Sequence, residues 1–124
     1  MAVGADVKLA FGPHGQVFLA RGAPAHKDWA ALPIKARAKF EQRFRLLCHT
    51  TDLVDFRKVR LVQGSDGIYE IKIDNPLLRA FAFRDGVWWI THIEAKPKKN
   101  LVLAAAKRAE RFRQEHYRRA QSNG

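Results

Sequence analysis

What this sequence lacks removes several classes of protein. It has one cysteine, Cys48, so no internal disulfide can form. A disulfide-stapled secreted scaffold is excluded, and a reducing, cytoplasmic setting is expected. No apolar run approaches the ~20 residues that a membrane-spanning helix needs. The N-terminus lacks the charged, apolar, small-residue order of a signal peptide. His26, His49 and His116 show no metal-ligand spacing with Cys48, so no metal or other cofactor is expected. Internal repeats and low-complexity segments are absent. Acidic side chains are scarce: 12 Asp and Glu against 23 Lys and Arg, a net charge of +11.

That imbalance points to partners. A small basic domain draws polyanions by long-range steering and counterion release. Simple solubility needs less charge, so nucleic acid is the expected partner, and an acidic protein that masks the charge is compatible with it. The 124 residues fit one domain, and a hydrophobic content of 47% excludes disorder.

The chain is organised around residues 67–99, where three apolar runs are separated by turn chemistry. In Ile68–Ile73 the alternation is strict, with Tyr69, Ile71 and Ile73 on one side and Glu70 and Lys72 on the other, the period of a half-buried strand. Asp74, Asn75 and Pro76 break it. Leu77–Phe83 is the second run. Arg84, Asp85 and Gly86 follow, and Asp-Gly between apolar runs is a strong hairpin signal. The third run, Val87–Ile93, is β-branched and aromatic, and leads to the cations Lys96, Lys98 and Lys99. These features predict an antiparallel meander that delivers positive charge to one end.

Before the meander, Val7–Phe11 and Gln16–Ala20 are candidate strands around a turn at Gly12–Gly15, and the first few residues are expected to fray. Ala25–Leu32 predicts a short helix, with Asp28 capping it or lying within it. A second helix is expected from Pro33 to Cys48, with Phe40, Phe44, Leu47 and Cys48 on one stripe. Residues His49–Asp52 close it, and Phe56–Val62 is a strand or an extended link. After the meander, Asn100 resembles an N-cap for a last helix, Leu101–Arg119, packing through Val102, Ala105, Ala106, Ala109 and Phe112. The tail from Gln121 is expected to be loose. The predicted class is α+β: a helical hairpin, an antiparallel meander and a C-terminal helix. One sheet face is expected under helices, and the face carrying Glu70 and Lys72 is expected to be open.

The runs GIYEIKI, LLRAFAF and WWITHIEAKPKK before a basic helix, with WAALPIKARAKFEQRFRLL upstream, resemble the RelE/HigB superfamily of type II toxins, and in particular its phage-derived HigB-like branch. The resemblance covers about residues 16–119 and rests on pattern and order. It implies a compact toxin domain in which the sheet and last helix frame an RNA groove. It also implies ribosome-dependent mRNA endonuclease activity and a co-encoded antitoxin, a helix-turn-helix HigA-like protein. Carried over position by position, Glu70 and Lys72 match the family's Glu-x-Arg, with lysine for arginine. Arg79 matches a strand arginine, with Leu78 in place of an aromatic residue. His92 matches a strand histidine. Lys98 and Lys99 match a paired lysine if residues 94–97 include an insertion; otherwise Lys96 takes the first place. The Tyr or His that follows this cluster in some members is replaced by Asn100 and Leu101. The implied catalytic set is Lys72, Arg79, His92 and Lys98, and the implied RNA-contacting set is Glu70, Arg84, Lys96 and Lys99.

RNA can be cut by its own 2′-hydroxyl if an enzyme aligns it, neutralises charge growing on the phosphate and protonates the leaving oxygen. Arginine suits the second task because its planar fork meets phosphate oxygens in pairs. Each residue also has a structural alternative. Arg79 could be an exposed edge-strand charge, and Lys72 a cross-strand ion pair. Glu70 is a general base or half of a salt bridge. His92 is an acid–base group or a hydrogen-bonded structural residue, with Glu94 of the same parity as its partner. The lysine cluster binds phosphate or is a solvated charge run. Trp88 and Trp89 face opposite ways: one belongs to the core, and the other packs at an interface or stacks on a base. A non-catalytic binder of the same fold, a ParE-like gyrase inhibitor or a phage-derived regulator, is the second functional expectation.

Overall fold

The computed structural model describes residues 6–50 and 58–122. Two strands, β1 (Lys8–Gly12) and β2 (Gly15–Leu19), are followed by α1 (Ala25–Ala31) and α2 (Ile34–His49). Then come β3 (Val59–Leu61), β4 (Ile68–Ile73), β5 (Leu78–Asp85) and β6 (Val87–Ala95). A 3-10 turn, Lys99–Leu101, leads into α3 (Val102–Ser122). The strands form one six-stranded sheet in the order β1-β2-β6-β5-β4-β3. The class is α+β.

The meander is antiparallel throughout. Its second hairpin is tight: β5 ends at Asp85 and β6 starts at Val87, so Gly86 alone lies between them. Gly86 takes a φ of 71°, a left-handed conformation open to glycine at no steric cost. Leu77 lies in the preceding turn, 53% exposed, and not in the second strand.

The sheet as a whole is mixed, which departs from the expected antiparallel sheet. β2 runs parallel to β6, with Val17 opposite Trp88 and Leu19 opposite Ile90. A parallel neighbour cannot be reached by a hairpin, and here the α1–α2 pair lies in the connection.

A second departure matters more for function: both faces of the sheet are covered. On one face α2 lays its stripe of Phe40, Phe44, Leu47 and Cys48 against Val17, Ile71, Ile73, Ala80 and Trp88. On the other, α3 presents Val102, Ala105, Ala106 and Ala109 to Ile68, Phe81 and Phe83. Those four positions fall at i, i+3, i+4 and i+7, one helical stripe. Three of them are alanine, so the helix sits close to the rings beneath. The face expected to be open is therefore roofed by the last helix along the Ile68 end of β4.

Of the two expected helix starts, one differs and the other settles between its alternatives. Asn100 does not cap α3 but lies inside the 3-10 turn, whose preceding residue is Lys98. Asp28 lies within α1, and its Oδ2 accepts from the backbone N–H of Ile93 at 2.9 Å. α3 runs on to Ser122, past the point where the tail was expected to loosen. Residues 1–5, 51–57 and 123–124 lie outside the described residues, and with them the expected frayed start, the second half of the helix-closing segment, Phe56 and Arg57 of the next run, and the last two tail residues.

Candidate nucleic-acid interface

Strand parity and register bring two transverse rows onto the α3 side of the sheet. One crosses β3 to β6 as Arg60, Glu70, Phe81 and His92. The next crosses β4 to β6 as Lys72, Arg79 and Glu94. Of the expected site residues, Glu70, Lys72, Arg79 and His92 thus share one face.

Glu70 is the anchor. It is 2% exposed, and its carboxylate meets Arg60 Nε at 2.9 Å and Arg79 Nε at 3.6 Å. The salt-bridge alternative describes its geometry. A buried carboxylate persists only with such partners. Arg79 is 5% exposed, and its Nη1 donates to the carbonyls of Ile73 and Leu78 at 2.9 Å each. β5 is an inner strand, so Arg79 is not an exposed edge charge. Its guanidinium is committed to Glu70 and two carbonyls, so its charge acts from behind the surface rather than by open contact.

Solvent reaches Arg60, Lys72 and Lys96. Burial, then the Arg60 guanidinium, pushes the Lys72 ammonium below the ordinary lysine value. Glu70 opposes this, while Arg79 and Lys96 add to it. Arg60, Arg79 and Lys96 therefore all act on Lys72, and the one buried carboxylate among these cations, Glu70, is already paired with Arg60 and Arg79. Such a cluster attracts a further anion. The backbone at Lys72 is fixed from the opposite face: Arg43 Nε of α2 donates to its carbonyl at 3.0 Å. Lys39 Nζ does the same for Asp74 and Asn75 in the next turn, at 2.8 and 2.6 Å.

Lys96 donates its backbone N–H to the Leu77 carbonyl at 3.2 Å, which holds the outgoing chain beside the start of β5. Lys98 and Lys99 follow it, exposed, at the start of the 3-10 turn.

Two expected residues fall elsewhere. Arg84 has the opposite parity on β5 and lies over the Trp88 ring, 5.3 Å from its centre, on the α2 side of the sheet. The sheet separates it from Lys72 and Arg79. His92 is on the right face but beneath α3, 5% exposed. It stacks on Phe81 at 4.8 Å and meets Phe112 edge-on at 5.4 Å. Its Nε2 lies 2.8 Å from Glu94 Oε2, which also accepts from Arg108 Nη2 at 2.6 Å. A carboxylate at that distance calls for the Nε2–H tautomer. Burial is the main reason that His92 lies below the ordinary imidazole value. The ring has no open edge from which to exchange a proton with a substrate, so the hydrogen-bonded structural alternative describes it.

Arg60 and Arg108 were not among the expected residues. Arg60 carried a signal: it sits between Val59 and Leu61, so an alternating strand turns it toward Glu70's face. Arg108 gave none, because its role depends on where α3 crosses the sheet.

Among the described residues, no group of three or more His, Cys, Asp or Glu is placed to hold a metal ion. No helix of these residues is long and apolar enough to cross a membrane. Comparison with family models, curated proteins and solved structures finds no match for this chain.

Proposed function

We propose that this chain is the toxin of a type II toxin–antitoxin pair, a RelE/HigB-like domain that binds mRNA on the ribosome and cleaves it without a metal. One observation carries the reading: Arg60, Lys72 and Arg79 share one sheet face with the buried carboxylate of Glu70, and Lys96 follows the end of β6 close enough to act on Lys72. Arg60, Lys72 and Lys96 meet phosphate oxygens, and Lys98 and Lys99 extend the contact along the strand. Glu70 and Arg79 are positioning residues, holding the exposed cations together. Lys72 has the further role. An ammonium whose proton is held less tightly than usual is a better general acid near neutral pH. As the 2′-hydroxyl attacks phosphorus and loses its proton to water, the P–O5′ bond breaks. Lys72 protonates the departing O5′, leaving a 2′,3′-cyclic phosphate and a 5′-hydroxyl. The masking partner is an acidic, helix-turn-helix antitoxin.

A second reading has its own support. His92 is withdrawn beneath α3, which leaves Lys72 as the one acid–base group of the expected catalytic set that lies within the cluster with its pKa displaced. A non-catalytic binder on this scaffold, inhibiting gyrase or regulating by contact, needs the cations alone.

Adding purified protein to translating ribosomes and mapping mRNA ends separates the two. The enzyme reading expects new ends with 5′-hydroxyl groups, lost in Lys72→Ala with the fold retained. Intact mRNA together with slowed supercoiling by gyrase supports the binder instead.

A further inference from the structure

The β1–β2 side of the sheet carries a feature that the cationic cluster does not use. Register places Lys8 opposite Phe18, Phe11 opposite Gln16, and Phe18 opposite Trp89, all on the α3 side of the sheet. Phe18 and Trp89 stack with ring centres 5.1 Å apart. Lys8 Nζ lies between two rings, 5.5 Å from Phe11 and 5.9 Å from Phe18. Arg21 lies 5.9 Å from Trp89, its guanidinium held by both oxygens of Asp6 at 2.8 Å. The strip thus runs Phe11, Lys8, Phe18, Trp89, Arg21, with Lys8 between two rings and Arg21 beside the stacked pair. α3 bounds it through His116, 4.2 Å from Trp89, and Phe11 beyond it is 69% exposed.

A single exposed phenylalanine needs no explanation. A continuous strip of rings with cations set among them does, because those are the two halves of single-strand recognition: a base stacks on a ring while an ammonium meets the adjoining phosphate. Double helices hide the faces of their bases and do not fit. A second copy of the chain would bring a like charge of +11 against this one, whereas a nucleic-acid strand has the opposite sign. We propose that this strip is a base-stacking shelf for single-stranded RNA, gripping the strand on the other side of α3 from Lys72. The proposal rests on the RNA reading of the cationic cluster, and supplies what that cluster lacks, a surface for bases.

Phe11 is the residue to change, since its exposure makes the fold indifferent to it. A labelled single-stranded oligoadenylate of about a dozen nucleotides is titrated with wild type, Phe11→Ala, Phe11→Trp and Lys72→Gln at several salt concentrations. Stacking on the shelf predicts that Phe11→Ala weakens binding about tenfold with an unchanged salt dependence, and that Phe11→Trp restores it. If Phe11→Ala binds like wild type while Lys72→Gln binds more weakly, the shelf is refuted and the cluster reading stands. If neither variant differs from wild type, both are refuted. Loss of binding to an acidic protein, with oligoadenylate affinity intact, likewise overturns the shelf.

Discussion

Lys72 and Arg79 face each other in direct register across β4 and β5. Like charges opposed in this way repel, and the pair is held by Glu70, one turn of the pleat away, whose carboxylate reaches Arg79 and Arg60. Arg79 is committed to holding the fold, whereas the Lys72 ammonium stays within reach of solvent.

Removing Glu70's charge should therefore be costly. Glu70→Gln leaves Arg79 buried without its counter-ion, and breaking such a pair costs on the order of 3–5 kcal/mol. The lower end is expected, because Arg79 keeps its bonds to the Ile73 and Leu78 carbonyls. Urea denaturation checks this. A loss within ~0.5 kcal/mol would mean that the carboxylate does not organise the cations.

The roof over the sheet is tightly fitted. Ala105, Ala106 and Ala109 are fully buried against it. Ala109→Leu adds volume where none is free, and overpacking of this kind costs about 1–3 kcal/mol. Thermal melts should register the loss. Exposed positions of the same helix, such as Arg111, should tolerate substitution.

Acid should weaken the fold through two histidines. His92 and His116 are held below the ordinary imidazole value of 6.5, with burial the leading cause in each. His116 Nδ1 also accepts from the Arg21 N–H at 2.9 Å, which a protonated ring cannot do. Because the folded pKa lies under the unfolded one, the unfolded chain takes up more protons as pH falls. Their contribution is complete above roughly 6.5 and declines below it, toward the folded values. Urea midpoints measured from about pH 8 down to about pH 5 should fall, and His92→Asn should flatten the curve. A flat wild-type curve would contradict the burial of these rings.

Much of the meander was legible because its signals are local. Strict alternation in Ile68–Ile73 and the Asp-Gly turn fixed parity, and parity put Glu70 and Lys72 on one face with Arg79. The helical stripe of Phe40, Phe44 and Leu47 was legible for the same reason. What was not legible depends on contacts distant in sequence. The parallel pairing of β2 with β6 joins Val17 to Trp88 with no local mark. The roof over the site follows from where the alanine stripe of α3 docks. That docking also withdrew His92, whose sequence neighbours Thr91 and Ile93 give no sign of Phe112 above it. Arg84 alternates out of step with Arg79 on β5, and that parity, legible in the sequence, puts it on the other face.

The most direct test of the account is the salt dependence of RNA binding by wild type and by Lys72→Gln. If Lys72 meets the phosphate backbone, the substitution weakens binding to all sequences alike. The slope of log affinity against log salt then falls in magnitude by about 0.7, the value for one single-strand contact. Identical slopes and affinities for the two proteins would contradict it.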